Sequence, residues 1–186
     1  MLRPSALAAA LMLIAGPAAA TDWSVDGDTS SLGFIGTQAG SEFTGRFEAF
    51  TADISFDPAD LEAVSVRVVI DVASFDSGSQ DRDETAMDGD WFDVETYPEA
   101  VFEVTGVEAT GEGTYEAAAT LTIKDQTHDV VLPFTLAIDG DTARMSGELT
   151  VDRRDYTLGT GDWATGELVG TDVTITVDLS AVRVPE

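Results

Sequence analysis

Hydrophobic residues recur at every second position over most of this 186-residue chain. In "VSVRVVIDVAS", Val64, Val66, Val68, Ile70 and Val72 fall on one face, with Ser65, Arg67 and Asp71 on the other. "TYEAAATLTIK" repeats the pattern with Tyr115, Ala117, Ala119, Leu121 and Ile123. "HDVVLPFTLAI" does so through Val130, Leu132, Phe134, Leu136 and Ile138, and "DVTITVDLSAV" through Val173, Ile175, Val177, Leu179 and Ala181. A two-residue period marks half-buried antiparallel strands, because successive side chains leave a pleated strand on opposite sides. Residues 111–113 ("GEG") and 139–141 ("DGD") supply hairpin-type turns between them.

The stretch 43–56 changes phase. Phe43, Gly45 and Phe47 share one parity, whereas Phe50, Ala52, Ile54 and Phe56 share the other. A β-bulge near Glu48 or Ala49 reconciles the halves in one bent strand. Long, bent, alternating strands with hairpin links predict a closed barrel rather than a flat sandwich, and small inward residues such as Ala117 and Ala119 leave space inside it. "SQDRDETAMDGDWF" has no alternation and carries helix formers. A short helix over Gln80–Met87 is expected there, with Ser79 as N-cap and acids in its first turn. Tyr97-Pro98 then forces extended backbone into the strand that holds Phe102. The aromatic-rich stretch "DWFDVETYPEAVF" therefore sits where the one helix meets the barrel.

Residues 1–20 carry Arg3, an apolar run to Ile14, a Gly-Pro break and the alanines 18–20, the signature of a secretory leader cut after Ala20. The expected domain is then 21–186, and the location periplasmic. There is no cysteine, hence no disulfide framework and no thiol nucleophile. With 35 acidic and 9 basic residues the net charge is −26, or −27 once Arg3 leaves with the leader. Such a surface repels nucleic acid and anionic lipid headgroups, and no later segment is fit for stable membrane insertion. The dispersed charges read as a solvated surface.

Candidate chemistry is sparse. His128, the only histidine, begins a strand and reads as a surface or turn residue; a histidine-based zinc or iron site would lack partners. Neither 26–28 ("DGD") nor 81–83 ("DRD") has the glycine and glutamate spacing of a calcium loop. "GTG" at 159–161 follows no βαβ pattern and is no dinucleotide fingerprint. Paired carboxylates are too common here for any one to stand out. A barrel with an apolar interior can hold one small ligand out of water, at about 0.8 kcal/mol per buried methylene.

"DWSVDGDTSSLGF", "GRFEAFTADISFDP", "DVASFDSG", "RDETAMDGDWFDVETYPEAVF", "LTIKDQTHDVVLPF" and "DRRDYTLGTGDW" occur in an order that resembles the YceI family. These are periplasmic, lipocalin-like β-barrels that bind polyisoprenoid or related long-chain lipids. The resemblance covers nearly all of 21–186. It departs at Thr85-Ala86, where many members have His-Leu, and at Asp125 and Thr157, turn positions where glycine is common. It implies an all-β, antiparallel eight-stranded lipocalin-like barrel with one short helix near the mouth, without catalytic residues, metal or cofactor. The implied partner is an isoprenoid or other long-chain lipid, with a homodimer as the assembly left open.

Together with the alternation, the resemblance points to a ligand wall of Phe34, Phe47, Val66, Val68 and Ile70, continued by Phe102, Leu121, Phe134 and Leu149. Trp91 and Phe92 are expected to close or line one end. Arg153 and Asp155 either orient a polar head group or form an ion pair at the rim, and Arg82 and Asp83 form a helix-end charge pair. Two other readings stay open: a hydrolase or isomerase acting on such a lipid, and a barrel plugged by its own side chains with a structural or stress role.

Overall fold

The computed structural model describes residues 21–185, so the expected leader lies outside the described residues. Eleven strand segments follow in order: β1 (Asp22–Val25), β2 (Ser31–Gln38), β3 (Ser41–Phe47), β4 (Phe50–Ser55), β5 (Ser65–Asp71), β6 (Phe75–Asp76), β7 (Glu99–Gly111), β8 (Thr114–Ile123), β9 (Gln126–Asp139), β10 (Thr142–Asp152) and β11 (Asp172–Arg183). The helix α1, Gln80–Met87, stands between β6 and β7.

The eleven segments make eight strands. β1 and β2 are halves of one, since residues 23–25 pair with 181–183 and residues 31–35 with 174–178, all on β11. β3 and β4 are halves of the second, lying along β2 and β1. β5 and β6 are halves of the third, lying along β4 and β3. β7 to β11 complete an antiparallel ring, which closes where β11 meets the first strand. The fold is the closed barrel expected from the alternation, with the eight strands that the resemblance implied.

The phase change at 48–49 is a break between β3 and β4, and it belongs to a wider seam. The Glu48 N–H donates to the Ser74 carbonyl (3.0 Å) and the Asp71 N–H to the Ala49 carbonyl (3.0 Å), so the breaks in the second and third strands lie side by side. The wall bends along this line.

Two packed ends enclose a hollow middle. At one end, Trp23, Phe56, Ala143 and Ala181 form a buried floor. At the other, Ile70, Val72, Ala86, Phe92, Ala100, Leu121, Tyr156 and Leu158 pack under α1 and the long connection 153–171. Between them, inward side chains such as Val66, Leu136, Leu149 and Leu179 are only half-buried, because their free area faces the interior.

Inward positions near the seam are crowded. Gly45 faces Phe34 across the β2–β3 pair, and the Phe34 ring lies over it while stacking on Phe75 at 4.8 Å. A Cβ on Gly45 would meet that ring and come 2.6 Å from the Asp76 carbonyl, whereas one on Gly106 would meet nothing. We expect Gly45→Ala to destabilise the protein by about 1–3 kcal/mol through overpacking, with Gly106→Ala close to neutral. Urea midpoints for the two variants decide it; an equal or smaller loss for Gly45→Ala would contradict the packing described.

Candidate ligand-binding site

The interior is a cavity of about 560 Å³ running from the floor to the mouth. Its wall is almost wholly hydrocarbon because the inward parity of each strand is. Phe34, Phe47, Val66, Val68, Ile70, Phe102, Leu121, Phe134 and Leu149 all line it, as do Trp91, Phe92 and Arg153. Trp23, Phe43, Phe75 and Trp163 line it too, and were not among the expected wall residues. Parity marked Phe43 as a partner of Phe47; Phe75 is hidden in a two-residue strand, and Trp163 in an irregular connection, where no period exists to read.

At the mouth the aromatic stretch divides its work. Phe92 is buried and meets Phe47 and Phe75 at 6.1 and 5.8 Å between ring centroids. Trp91 packs edge-on against Trp163 at 5.8 Å. Beside it the Asp90 carbonyl accepts the N–H groups of Gly159 (2.7 Å) and Thr160 (2.9 Å), and the Asp90 carboxylate accepts the Thr160 hydroxyl (2.7 Å). The connection after α1 and the connection after β10 are thereby fastened to each other. The Pro98 carbonyl accepts the Val72 N–H (2.9 Å), which ties the Tyr97-Pro98 corner to the third strand.

Arg153 and Asp155 do not form a rim ion pair. Arg153 is 2 % exposed, and all five of its N–H groups go to main-chain carbonyls. Nε donates to Gly170 (2.9 Å), Nη1 to Leu158 and Gly159, and Nη2 to Trp163 (2.6 Å) and Val169 (2.9 Å). Its guanidinium also lies 5.0 Å over the Trp91 ring. Burial pushes its pKa down, and the nearby Asp152 partly offsets that. A single turn, Arg153–Tyr156, swings Asp155 outward: it is exposed, does not line the cavity, and offers only its carbonyl, to the ring nitrogen of His128 (2.9 Å). The next residue, Arg154, is exposed and pairs with the Asp152 carboxylate.

Ser79 occupies the N-cap position of α1, but its hydroxyl makes no cap bond. Ser77 takes the local polar contacts: its N–H and hydroxyl donate to Asp83 (2.9 and 2.6 Å). Arg82 and Asp83 are not paired with each other; both bind Ser77. Arg82 also donates to the Gln38 side chain (3.1 Å) and lies 4.4 Å over Phe43, bridging α1 to β2 beside the opening. Thr85 and Ala86, where the sequence departs from the pattern it resembles, line the mouth with small side chains.

The clamp makes two outcomes testable. Arg153→Met leaves five carbonyls without their donor, so we expect a loss of roughly 3–5 kcal/mol, and Arg153→Lys to recover only part of it. Hydrogen exchange at Gly159 and Thr160 should accelerate in Arg153→Met; unchanged exchange would show that the guanidinium does not hold this connection. Tyr156 is 1 % exposed, and burial, helped by Asp155, pushes its phenol up to about 12. A raised folded value favours the neutral form, so its contribution is whole below pH ~10 and is lost as pH climbs from about 10 to about 12. Tyr156→Phe should flatten the alkaline fall in melting temperature; an identical fall would remove Tyr156 as its cause.

A barrel with this interior, mouth and order of motifs has relatives. Residues 23–181 match the family model described as YceI-like domain. A UPF0312 protein of Pseudomonas syringae pv. tomato is 31% identical over 186 residues, covering 94% of this chain and 96% of that one. A UPF0312 protein of Vibrio cholerae is 36% identical over 127 residues, 67% of each chain. The crystal structure of BcnA from Burkholderia cenocepacia superposes with a TM-score of 0.82 at 34% identity, over 86% of this chain and all of that one (100%). A polyisoprenoid binding domain from Saccharophagus degradans implicated in plant cell wall breakdown shares the fold, with a TM-score of 0.70 at 18% identity over 87% and 98% of the two chains. With a family match over nearly the entire barrel and a relative aligned along almost its full length, this chain belongs to the YceI family.

Proposed function

We propose that the protein is an exported carrier that holds a long apolar lipid, a polyisoprenoid or quinone-like isoprenoid, in the barrel and conveys it through the periplasm. The observation that carries this reading is the hollow, hydrocarbon-walled interior closed at the floor and reached from the mouth. A wall of this kind has no use for solvent; each methylene of a lipid tail moved into it from water contributes about 0.8 kcal/mol. The neighbour described as a polyisoprenoid binding domain supports the ligand class. The leader-type residues 1–20 support export, and residues 21–186 are then the mature domain.

The site residues follow from the wall. Phe34, Phe47, Val66, Val68, Ile70, Phe102, Leu121, Phe134 and Leu149 contact the tail, with Trp91 and Phe92 near its polar end. Binding rather than catalysis fits the distribution of polarity: polar lining is gathered at the mouth, where Arg82 is engaged by Ser77 and Gln38, and Arg153 by five carbonyls. Arg153 has no N–H left for a ligand's polar end, so among the two mouth arginines a direct contact falls to Arg82, which spends three of its five N–H groups on Ser77 and Gln38.

Val68 lies mid-wall on β5, opposite Ala52 and Phe102 on the flanking strands. Val68→Phe should occupy ligand volume yet leave the barrel folded, since open space accepts the added atoms. We expect lipid in organic extracts of the purified variant, measured by mass spectrometry, to fall several-fold with little change in melting temperature. A loss of roughly 1–3 kcal/mol, with no lipid in either sample, is the behaviour of a filled interior and would defeat the carrier reading.

A further inference from the structure

We propose that Trp23 sets the length of tail the barrel accepts, an inference that rests on the cavity being a lipid site. Trp23 lies on β1 at the floor, with one side bordering the cavity and only 6 % of its surface exposed. Its place is fixed from several directions. The indole N–H donates to the Phe56 carbonyl (3.0 Å). Ala143 and Ala181, cross-strand neighbours on β10 and β11, belong to the same buried cluster, and their small side chains leave the cross-section that the indole fills. On the far side the Arg183 guanidinium lies 5.1 Å over the ring, held in turn by Asp141 (3.3 Å) and Thr21 (3.2 Å).

Trp23 is thus the broadest and most firmly held face at the floor, where Phe56, Leu136 and Ile138 also border the cavity. A tail entering from the mouth advances until its terminal methyl meets the indole. Carbon added beyond that point stays in water or must buckle, and contributes little. Affinity thus climbs with tail length until the cavity is filled, then levels off.

The chain offers a way to move the floor in either direction. Trp23→Leu keeps an apolar plug but shortens it. Met145 lines the cavity two residues along β10 from Ala143, roughly 7 Å up the wall at the strand rise. Met145→Trp would raise the floor without touching the Trp23 contacts.

The test uses delipidated protein and a series of all-trans prenols of two to eight isoprene units, read by displacement of an environment-sensitive dye. Wild type should gain about tenfold or more per unit and then plateau. The plateau should move at least one unit longer in Trp23→Leu, at least one unit shorter in Met145→Trp, and lie between wild type and Trp23→Leu in Trp23→Phe. A plateau at the same length in all four proteins overturns the proposal, as does a Trp23→Leu effect that weakens every prenol by one common factor. If Trp23→Leu does not fold, Trp23→Phe decides: its plateau should lie at longer tails than wild type, and an unmoved plateau overturns the proposal. Failure of wild type to bind dye or any prenol is a different result: it removes the lipid reading itself, and the length rule with it.

Discussion

Three partners share β11: β10 along one edge, and on the other edge β2 above the seam and β1 below it. That doubled edge turns a sheet into a ring. In a barrel with a packed interior, closure is one stabilising feature among several. Here the middle is hollow, so its inward side chains have no partners across the axis and forgo the dispersion contacts a filled core supplies. The wall must stand on its main-chain ladder, and a ladder is complete only when it has no free edge. Each wall amide left without a partner beside a dry interior would cost about 1–3 kcal/mol. A substitution that breaks the β11 pairing is therefore felt around the whole ring.

The two ends carry what the middle does not. The floor is a hydrophobic plug centred on Trp23, and the mouth a polar clamp centred on Arg153. The difference has a physical reason. The floor turns at 111–113 and 139–141 are short, so their backbone is satisfied by pairing. The mouth connections run 77–98 and 153–171; the first answers many of its own carbonyls through α1 and the turns after it, whereas the second leaves several without a strand partner. Arg153 gathers five of these from one connection, and Asp90 joins that connection to the other. One guanidinium does here what a ladder does elsewhere.

That division also decides what could be read from the sequence. The wall was legible because a period of two survives in the letters, and Val66, Val68, Ile70, Leu121 and Phe134 all fall where alternation puts them. The helix was legible from the loss of that period, and the break in the second strand from the change of phase at 48–49; the matching break at 72–74, which makes the seam, was not. The ends were not. Arg153 binds carbonyls, which every residue has and no letter reports, so its sequence neighbour Asp155 looked like the natural partner. Ser77 and Ser79 differ by two positions, and only the approach of Asp83 decides which of them is used. Thr157 marks the limit from the other side. It sits at φ 54°, a left-handed conformation that glycine adopts more easily, so the departure at that position was readable as strain without being readable as geometry.

The acidity of the chain gives its few cations a particular distribution. Most of those beyond the leader sit at a joint between elements. Arg46 reaches Glu48 and Asp76 at the seam, Arg67 bridges β5 to Glu103 on β7, and Arg183 closes the floor beside Asp141. Arg82 joins α1 to β2, and Lys124 reaches the Gly89 carbonyl across the mouth (3.4 Å). Pairs this exposed add little to stability individually, because water screens them and the long side chains lose freedom. Their value lies in selection: among so many carboxylates, a cation at each joint favours one neighbouring strand over its alternatives. Arg153 is the exception in kind, buried and satisfied by dipoles instead of a carboxylate. A counter-ion beside it would put a second charge out of water, whereas five carbonyls anchor the guanidinium without one.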